Sequence, residues 1–273
     1  MKEQSTHITV IIPTYNMAAY LPEAIDSVQK SSFGDLDVEL FVVDDGSTDE
    51  TPAVVEELMR NQTGEGVPIR YTHEENLGKS AAVNRALNEA KGQYITILDA
   101  DDKLPKDSLQ LRHQRAQETG AELVFGGFST FNGNRVLGHR SPPSVENKRS
   151  MVDELLFNIK SPFHQNSMLI SRALIKKVGS YDERLLRGQD KDYAIRLLTE
   201  ADSVEIINKA VYLYRRYERG YLSRLKNRLL TIRYKWLMIS KHTKGIKRIL
   251  VLFWGFIVEV GKMGYEFFSM YKK

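Results

Sequence analysis

Two groups of aspartates each follow an apolar segment in the first half of the chain. Asp44 and Asp45 lie in "VVDDGSTDE", and Asp99, Asp101 and Asp102 lie in "ILDADDKLP". Carboxylates this close together are not all stable as anions unless a cation or strong hydrogen-bond donors lie between them. Magnesium or manganese, held by one or two carboxylates and completed by phosphate oxygens, would meet that need. A solvated acidic turn is the alternative that this spacing leaves open.

The local geometry around these aspartates is predicted by the residues beside them. In an extended segment alternate side chains share a face, so Asp99 and Asp101 are expected to point one way and Asp102 the other. Ser47 and Glu50 have the spacing of a capping box, in which the serine caps a helix and the glutamate bonds back to it. The strand before them is therefore expected to end in a tight turn into a helix.

Apolar β-branched runs alternate with segments of helical periodicity in the first hundred residues. They predict strands at 8–12, 38–44, 69–72 and 94–98, with helices within 20–30, 51–61 and 80–90. This alternation predicts a parallel sheet with right-handed crossovers and helices on its faces. Ligands of such sheets bind beyond the carboxyl ends of the strands, where "PTYN", "DDGS" and "DADD" lie. Downstream, the pattern predicts a strand near 122–131 and helices near 150–159 and 189–200.

The composition is typical of a globular protein with a real core. Of 273 residues, 42% are hydrophobic and 27% are charged, which argues against a disordered chain. The chain has no cysteine, so disulfides and thiolate metal sites are excluded. Pro13 and Asn16 interrupt the first apolar run, and we therefore expect no secretory signal there.

Five motifs in fixed order resemble one known family. They are "VIIPTYN", "VVDDGSTD", "ENLGKSAAVN", "ILDADD" and "VGSYDERLLRGQDKDYAIRL". Together they resemble the inverting family-two glycosyltransferases of the GT-A fold, over about residues 7–220. The resemblance implies an α/β fold whose mostly parallel sheet is flanked by helices. It also implies a catalytic domain at residues 1–220, followed by a helical, basic C-terminal extension at 221–273.

The resemblance implies which residues bind a nucleotide-sugar donor. The Pro13-Thr14-Tyr15 loop and Asp45 would hold the base, with Tyr15 stacked on it and Asp44 bracing the turn; a tyrosine packed at a sheet edge is the alternative. The remaining donor residues would be Asn76, Gly78, Lys79, Asp99 and Arg215. Many members of the family have arginine where this chain has Val83. Either Lys79 replaces that charge, or donor binding is altered.

The resemblance also implies the catalytic groups. Asp101 and Asp99 would bind a divalent metal, manganese or magnesium, and Asp99 would lie near the ribose. Asp190 would be the general base, in a Gln189-Asp190 pair where the family has Glu-Asp. The alternative for Asp190 is a first-turn aspartate that complements the helix dipole. Asp192 is expected to be a solvated helix residue. The resemblance would place His164 and Gln165 near the acceptor, but a lone histidine in a loop is more commonly a solvated surface residue.

The tail of the chain differs in charge from the body. Residues 219–273 hold thirteen Lys or Arg and two acids, a net charge of +11 that leaves −7 for residues 1–218. The run "ILVLFWGFIV" is too short to span a bilayer. Its apolar residues continue at helical spacing to Phe267, Phe268 and Tyr271, as in helices that lie on anionic lipid. A hairpin packed on the catalytic domain, or a homodimer contact, is the alternative. No nucleic-acid-binding motif is present.

The resemblance implies a transferase that moves a sugar from a nucleotide-diphosphate donor, expected to be a UDP-sugar, to an acceptor hydroxyl. A lipid-linked glycan or cell-surface polysaccharide precursor is the expected acceptor, and the expected location is cytoplasmic, peripheral on the inner face of the membrane. A non-catalytic nucleotide-sugar-binding scaffold is the main alternative. A nucleotidyltransferase would need a glycine-rich basic loop after the first strand, where this chain has "PTYNMAAY". The sequence "RYKW" at 233–236 does not match the Gln-x-x-Arg-Trp motif of processive synthases, so we do not expect a processive polysaccharide synthase.

Overall fold

The computed structural model describes most of the first 217 residues and part of the C-terminal region. The described residues are 7–62, 66–133, 135–142, 147–157, 163–217, 234, 236–245, 249, 252, 253, 255, 257 and 261. The strands are β1 Ile8–Thr14, β2 Val38–Asp44, β3 Ile69–His73, β4 Tyr94–Ile97, β5 Leu123–Asn132, β6 Arg135–Arg140, β7 Leu169–Ser171 and β8 Val204–Arg215. The helices are α1 Leu21–Gln29, α2 Thr51–Arg60, α3 Lys79–Glu89, α4 Ser108–Thr119, α5 Lys148–Phe157, α6 Arg172–Val178 and α7 Gln189–Glu200, with one 3₁₀ turn at Gln165–Ser167.

These strands form a single mixed sheet. Its order is β3-β2-β1-β4-β7-β5-β6, and β8 pairs with β5. Strands β1 to β4 are mutually parallel where they pair, as the alternating pattern predicted. Strand β7 runs antiparallel to both β4 and β5, and β8 returns parallel to β5. The α/β fold with a mostly parallel sheet is therefore confirmed.

The central strands of the sheet are buried on both faces, which explains their continuous apolar sequences, whereas the edge strand β6 is exposed. Side chains alternate between the faces, so Ile11 joins one core cluster while Val10 and Ile12 join the other. Helices α3, α5, α6 and α7 cover the first face, and α1, α2 and α4 cover the second. The central strands are thereby held rigidly between two layers, and their carboxyl ends are fixed relative to one another.

A buried arginine ties the second half of the sheet to the first. Arg112 in α4 is fully buried, and its guanidinium donates to Thr96 Oγ1 at 2.8 Å and to the carbonyls of Ser167 and Met168 at 3.2 and 3.1 Å. It also donates to the Ser108 hydroxyl. Arginine suits this position because its planar fork can serve several acceptors at once.

We expect Arg112→Met to lower the free energy of unfolding by about 2–4 kcal/mol. The methionine would leave buried acceptors without their donor, and an orphaned buried polar group costs about 1–3 kcal/mol. Urea unfolding measures the change. The control is Arg115→Met on the same helix, where an exposed pair with Glu205 should contribute less than about 1 kcal/mol. Equal losses from the two variants would contradict this role for Arg112.

Candidate functional site

A pocket of about 450 Å³ lies at the carboxyl ends of β1, β2 and β4. Thr14 pairs with Asp44 at the ends of β1 and β2, and β4 lies on the other side of β1. The structure therefore brings together the three loops that follow these strands, as the parallel sheet predicted. Nine predicted site residues line the pocket: Pro13, Thr14, Tyr15, Asp45, Asn76, Gly78, Lys79, Asp99 and Asp101.

Asp44 and Asp45 accept hydrogen bonds from two different loops. Asp44 is fully buried and accepts from the Ser47 backbone N–H at 2.8 Å and from the Tyr71 hydroxyl at 2.9 Å. Asp45 Oδ1 accepts from the backbone N–H groups of Leu77 and Gly78 at 2.8 and 3.0 Å. Asp44 thus braces the turn after β2, as expected, and Asp45 anchors the loop before α3.

Gly46 allows these two loops to approach each other. Its φ is +73°, and a Cβ at this position would lie 2.8 Å from the backbone nitrogen of Asn76 and 2.9 Å from the carbonyl of Glu74. Any larger residue would therefore both strain the backbone and push the loops apart. The pocket wall formed by Asp45 and Asn76 depends on this close contact.

The predicted capping box of Ser47 and Glu50 is wrong. Helix α2 begins at Thr51, whose backbone N–H donates to Asp49 Oδ1 at 2.9 Å. The Ser47 hydroxyl instead accepts from the backbone N–H of Asn16 at 2.8 Å. The Ser47 hydroxyl is therefore bonded to the loop after β1 and does not cap α2. This contact joins the loop after β1 to the loop after β2.

Lys79 is the central cation of the site. Its ammonium donates to Asp99 Oδ1 at 2.8 Å and to Asp190 Oδ2 at 3.2 Å. Burial alone would lower the pKa of Lys79, but the carboxylates of Asp190 and Asp99 outweigh burial and raise the pKa. Val83, one turn further along α3, is fully buried in the apolar core. Lys79 thus supplies positive charge on this face of α3, where the resemblance led us to expect a cation.

Asp99, Asp101 and Asp102 form a compact acidic cluster. Each offers one carboxylate oxygen, and these oxygens lie within 4.8 Å of one another. The chain turns here rather than extends, since the Asp102 N–H donates to the Asp99 carbonyl at 3.0 Å. One Asp102 oxygen therefore stays beside the other two carboxylates, although Asp102 does not line the pocket, as expected from its position. Asp102 accepts from the Tyr212 hydroxyl at 2.7 Å and from the Arg215 N–H at 2.7 Å.

The charges of this cluster are unequally compensated: burial would raise the pKa of Asp99, but Lys79 outweighs burial and lowers it, whereas the pKa values of Asp101 and Asp102 are raised. Burial, and then the charges of Asp99 and Asp101, raise the pKa of Asp102 to about 8. Burial, and then Asp99, also raise the pKa of Asp101. Carboxylates that raise one another's pKa in this way are stabilised by a cation. The all-oxygen donor set fits a divalent metal, with Asp99 and Asp101 facing the pocket and Asp102 bracing the turn from inside.

Asp190 begins a helix beside this pocket without lining it. It is the second residue of α7, which runs over Gln189–Glu200 as predicted, and Lys79 links it to Asp99. Burial, and then the charge of Asp99, raise the pKa of Asp190 although Lys79 opposes them. Its Oδ1 has no hydrogen-bond partner among the described residues. A carboxylate with a raised pKa and an unused oxygen has the properties of a general base.

Arg215 lies behind the acidic cluster. Its Nε donates to the Asp101 carbonyl at 2.6 Å, and its Nη2 pairs with Glu23 at 3.1 Å. The side chain is buried and is not part of the pocket lining given above. A phosphate contact would require Arg215 to exchange one of these partners, and that contact stays a prediction.

Two residues expected to be solvated are held in the interior instead. The His164 ring stacks on Tyr212 with centroids 4.4 Å apart, and burial lowers the pKa of His164 to about 4. Asp192 is fully buried and accepts from Arg196, Lys241 and His242. The i,i+4 spacing of Asp192 and Arg196 was a local signal for one of these pairs, but His242, which bonds the other oxygen of Asp192, lies fifty residues away in the chain.

The described part of the C-terminal region packs on the first core cluster. Met238 and Ile239 are both 1% exposed and join that cluster, with Leu252 packed against it. No helix within the described residues has the length and apolar content needed to cross a bilayer. The basic stretch 224–233 and the aromatic residues at 267–271 lie outside the described residues.

Comparisons with known proteins show the family to which the chain belongs. The family model described as glycosyl transferase family 2 matches residues 9–179. An uncharacterized glycosyltransferase of Methanocaldococcus jannaschii is 31% identical over 90% of this chain and 83% of its own length. The poly(ribitol-phosphate) β-N-acetylglucosaminyltransferase TarS of Staphylococcus aureus is 28% identical, but this chain covers 36% of its length.

Solved structures show the same fold. Residues 1–349 of TarS in complex with UDP-GlcNAc have a TM-score of 0.63 at 22% identity, covering 90% of this chain and 70% of that one. The mannosyltransferase PcManGT of Pyrobaculum calidifontis, in complex with GDP-Man and Mn²⁺, has a TM-score of 0.65 at 20% identity, covering 95% and 72%. The chain therefore belongs to glycosyl transferase family 2 and has the GT-A fold.

Proposed function

We propose that this protein is an inverting glycosyltransferase that moves a sugar from a nucleotide-diphosphate donor, a UDP-sugar, to an acceptor hydroxyl. One observation carries the proposal: Lys79 bonds both to Asp99 in the pocket wall and to Asp190 beside it. A donor held in the pocket would therefore have a carboxylate base within reach of its sugar end. The acceptor class we propose is a lipid-linked glycan or a cell-surface polysaccharide precursor.

The pocket offers positions for the base and for the diphosphate of the donor. The Tyr15 ring is 44% exposed at the pocket and would stack on the base. Asp45 uses Oδ1 for the loop, which leaves Oδ2 to accept an imide-like N–H of the base. Helix α3 begins at Lys79, directly after Gly78, so its positive end would face the diphosphate.

The proposed reaction is a direct displacement. The acceptor oxygen forms a bond to the anomeric carbon as the bond from that carbon to the diphosphate breaks, and Asp190 takes the acceptor proton. Attack opposite to the leaving group inverts the configuration. Manganese or magnesium bound by Asp99 and Asp101 would neutralise the charge that develops on the diphosphate.

We also propose that the catalytic domain ends near residue 220 and that the C-terminal extension follows it.

A panel of nucleotide sugars tests this proposal. UDP- and GDP-sugars would each be added with Mn²⁺, Mg²⁺ or EDTA, and thermal stabilisation and donor hydrolysis would be measured. We expect a UDP-sugar with a divalent metal to give both the largest stabilisation and slow hydrolysis. Stabilisation without turnover on any donor or glycan acceptor would favour the scaffold alternative. Larger stabilisation and faster hydrolysis with a GDP-sugar than with a UDP-sugar would contradict the proposal that the donor is a UDP-sugar.

We also propose that the C-terminal region lies on an anionic membrane surface. Ile249, Phe253 and Ile257 are four residues apart and are 67%, 65% and 44% exposed. In a helix this spacing places all three on one face. Trp236 is likewise 56% exposed. Exposed apolar side chains in a strongly basic segment are typical of helices that lie in the lipid headgroup region.

Vesicle sedimentation tests the membrane proposal. We expect binding to phosphatidylglycerol vesicles to fall at least tenfold in Phe253→Glu, because burying one phenylalanine contributes about 1.5–3 kcal/mol. The control is Val136→Glu, a 60% exposed apolar side chain on β6. Unchanged binding by Phe253→Glu would contradict the proposal. If the wild type instead sediments as a dimer that Phe253→Glu dissociates, the homodimer alternative holds.

A further inference from the structure

A buried ionic cluster joins the C-terminal region to the helix that carries Asp190. Asp192 is fully buried and accepts from His242 Nε2 at 2.7 Å and from Lys241 Nζ at 3.1 Å. Arg196, one turn along α7, donates to the same carboxylate at 3.0 Å. Burial would raise the pKa of Asp192, but these three donors outweigh burial and lower the pKa.

The cluster also holds the segment that leads into α7. Lys241 Nζ donates to Asp182 Oδ2 at 3.0 Å as well as to Asp192. Arg184 is paired with Asp182 through two nitrogens. One ammonium therefore fixes the position of the incoming loop relative to the first turn of the helix. Charge-assisted hydrogen bonds of this kind hold geometry more firmly than neutral ones.

Apolar contacts support the same attachment. Met238 and Ile239 lie in the core cluster that contains Tyr193 of α7. Met238 Sδ lies 3.9 Å from the position that a Cβ at Gly188 would occupy, and Gly188 is the residue directly before α7. The start of α7 is thus enclosed both by ion pairs and by packing from residues 236–243, which we call the clasp.

Asp190 and Asp192 lie on nearly opposite sides of the helix, because two residues correspond to about 200° of rotation at 3.6 residues per turn. Asp190 is held by Lys79 on the pocket side. Asp192 is held by the clasp on the other side. A rotation of the first turn would break contacts on both sides, so the two anchors together fix the direction of the Asp190 carboxylate.

We propose that the clasp is a positioning element of the active site, and that Lys241 and His242 are positioning residues which set the base Asp190 against the acceptor. The inference rests on the proposed function, since it requires Asp190 to be the base. It assigns to the C-terminal region a part in the chemical step besides any contact with a membrane. The clasp does not line the donor pocket on the other side of Lys79, so we expect it to have little effect on donor binding.

The Lys241→Met/His242→Ala double variant tests this inference. We expect kcat for sugar transfer to fall about 10–100-fold, because a displacement of about 1 Å in a catalytic group can cost about a hundredfold. The KM for the donor, and the thermal stabilisation by UDP with Mn²⁺, should change less than about twofold. The conservative single variant Lys241→Arg should keep most of the wild-type rate, since it keeps a cation at this position.

The matched control is Lys177→Met. Lys177 bonds the Glu200 carbonyl at the other end of the same helix, so its removal disturbs α7 far from Asp190. We expect its kcat to stay within about twofold of the wild type. The Asp190→Asn background supplies the second control: if the clasp acts through the base, the double variant should lower the rate no further there.

The outcomes separate the two proposals. An active wild type whose kcat is unchanged by the double variant, or falls equally in the Asp190→Asn background, overturns the clasp alone. A wild type that turns over no donor overturns the proposed function and the clasp with it. If the double variant fails to fold, the single His242→Gln variant is put through the same comparison, and an unchanged kcat there also overturns the clasp.

Discussion

The Asp190→Asn variant is expected to transfer sugar about 10²–10⁴ times more slowly than the wild type, which is the usual contribution of a general base. Asparagine has nearly the same shape as aspartate and still accepts a hydrogen bond from Lys79, but it cannot take a proton from the acceptor. Binding of the donor should persist, because Asp190 does not line the 450 Å³ pocket. Steady-state kinetics with donor and acceptor varied separately measure both effects.

The control for this variant is Asp26→Asn. Asp26 lies on α1 in an exposed ion pair with Lys30, so the substitution makes the same chemical change away from the site. Its kcat should match that of the wild type. Transfer by Asp190→Asn at more than about a tenth of the wild-type rate would show that another group accepts the proton.

The Asp101→Asn variant is expected to lose most of its response to divalent metal. One of the two anionic ligands that face the pocket would become neutral, while its bond to the Tyr217 hydroxyl could remain. We expect the apparent affinity for Mn²⁺, measured by calorimetry in the presence of UDP, to fall at least tenfold. We expect kcat to fall about 10²–10³-fold, the usual cost of losing one stabilising interaction with a developing anion.

Calorimetry and kinetics are both needed for Asp101→Asn. Weaker metal binding with full activity would mean that the metal is structural, and normal metal binding with lost activity would mean that Asp101 acts on the substrate directly. Either result contradicts the proposed role. The Asp26→Asn variant is again the control, since it should alter neither the affinity for metal nor the rate.

Much of the fold could be predicted because its signals are local. Alternating apolar runs and helical periodicity gave β1 to β4 and α1 to α3 to within a few residues. The short antiparallel strand β7 and the long strand β8 carried no comparable signal. Strand β7 has three residues, and β8 pairs with β5 across a separation of about eighty residues. Their place in the sheet depends on partners that are distant in sequence.

The candidate site divides in the same way. The aspartates after β2 and β4 could be placed at one edge of the sheet, since parallel strands end together. Two features could not be predicted. One is the hydrogen bond from the Asn16 N–H to the Ser47 hydroxyl, and the other is the turn that brings Asp102 into the acidic cluster. In each case a contact from another loop or a local turn overrode the preference that adjacent residues suggested.

The sequence by itself determined the α/β alternation and the position of the aspartates after strand ends, because backbone periodicity and strand ends are properties of adjacent residues. The other residues that line the pocket were expected from the family resemblance of the motifs. Only the tertiary structure decided the electrostatic state of those residues. Lys79 meets Asp190 across 111 positions, and His242 meets Asp192 across 50. Whether a carboxylate is solvated, paired or buried depends on which distant side chains folding brings within about 3 Å of it, and charge pairing at that range has no local pattern.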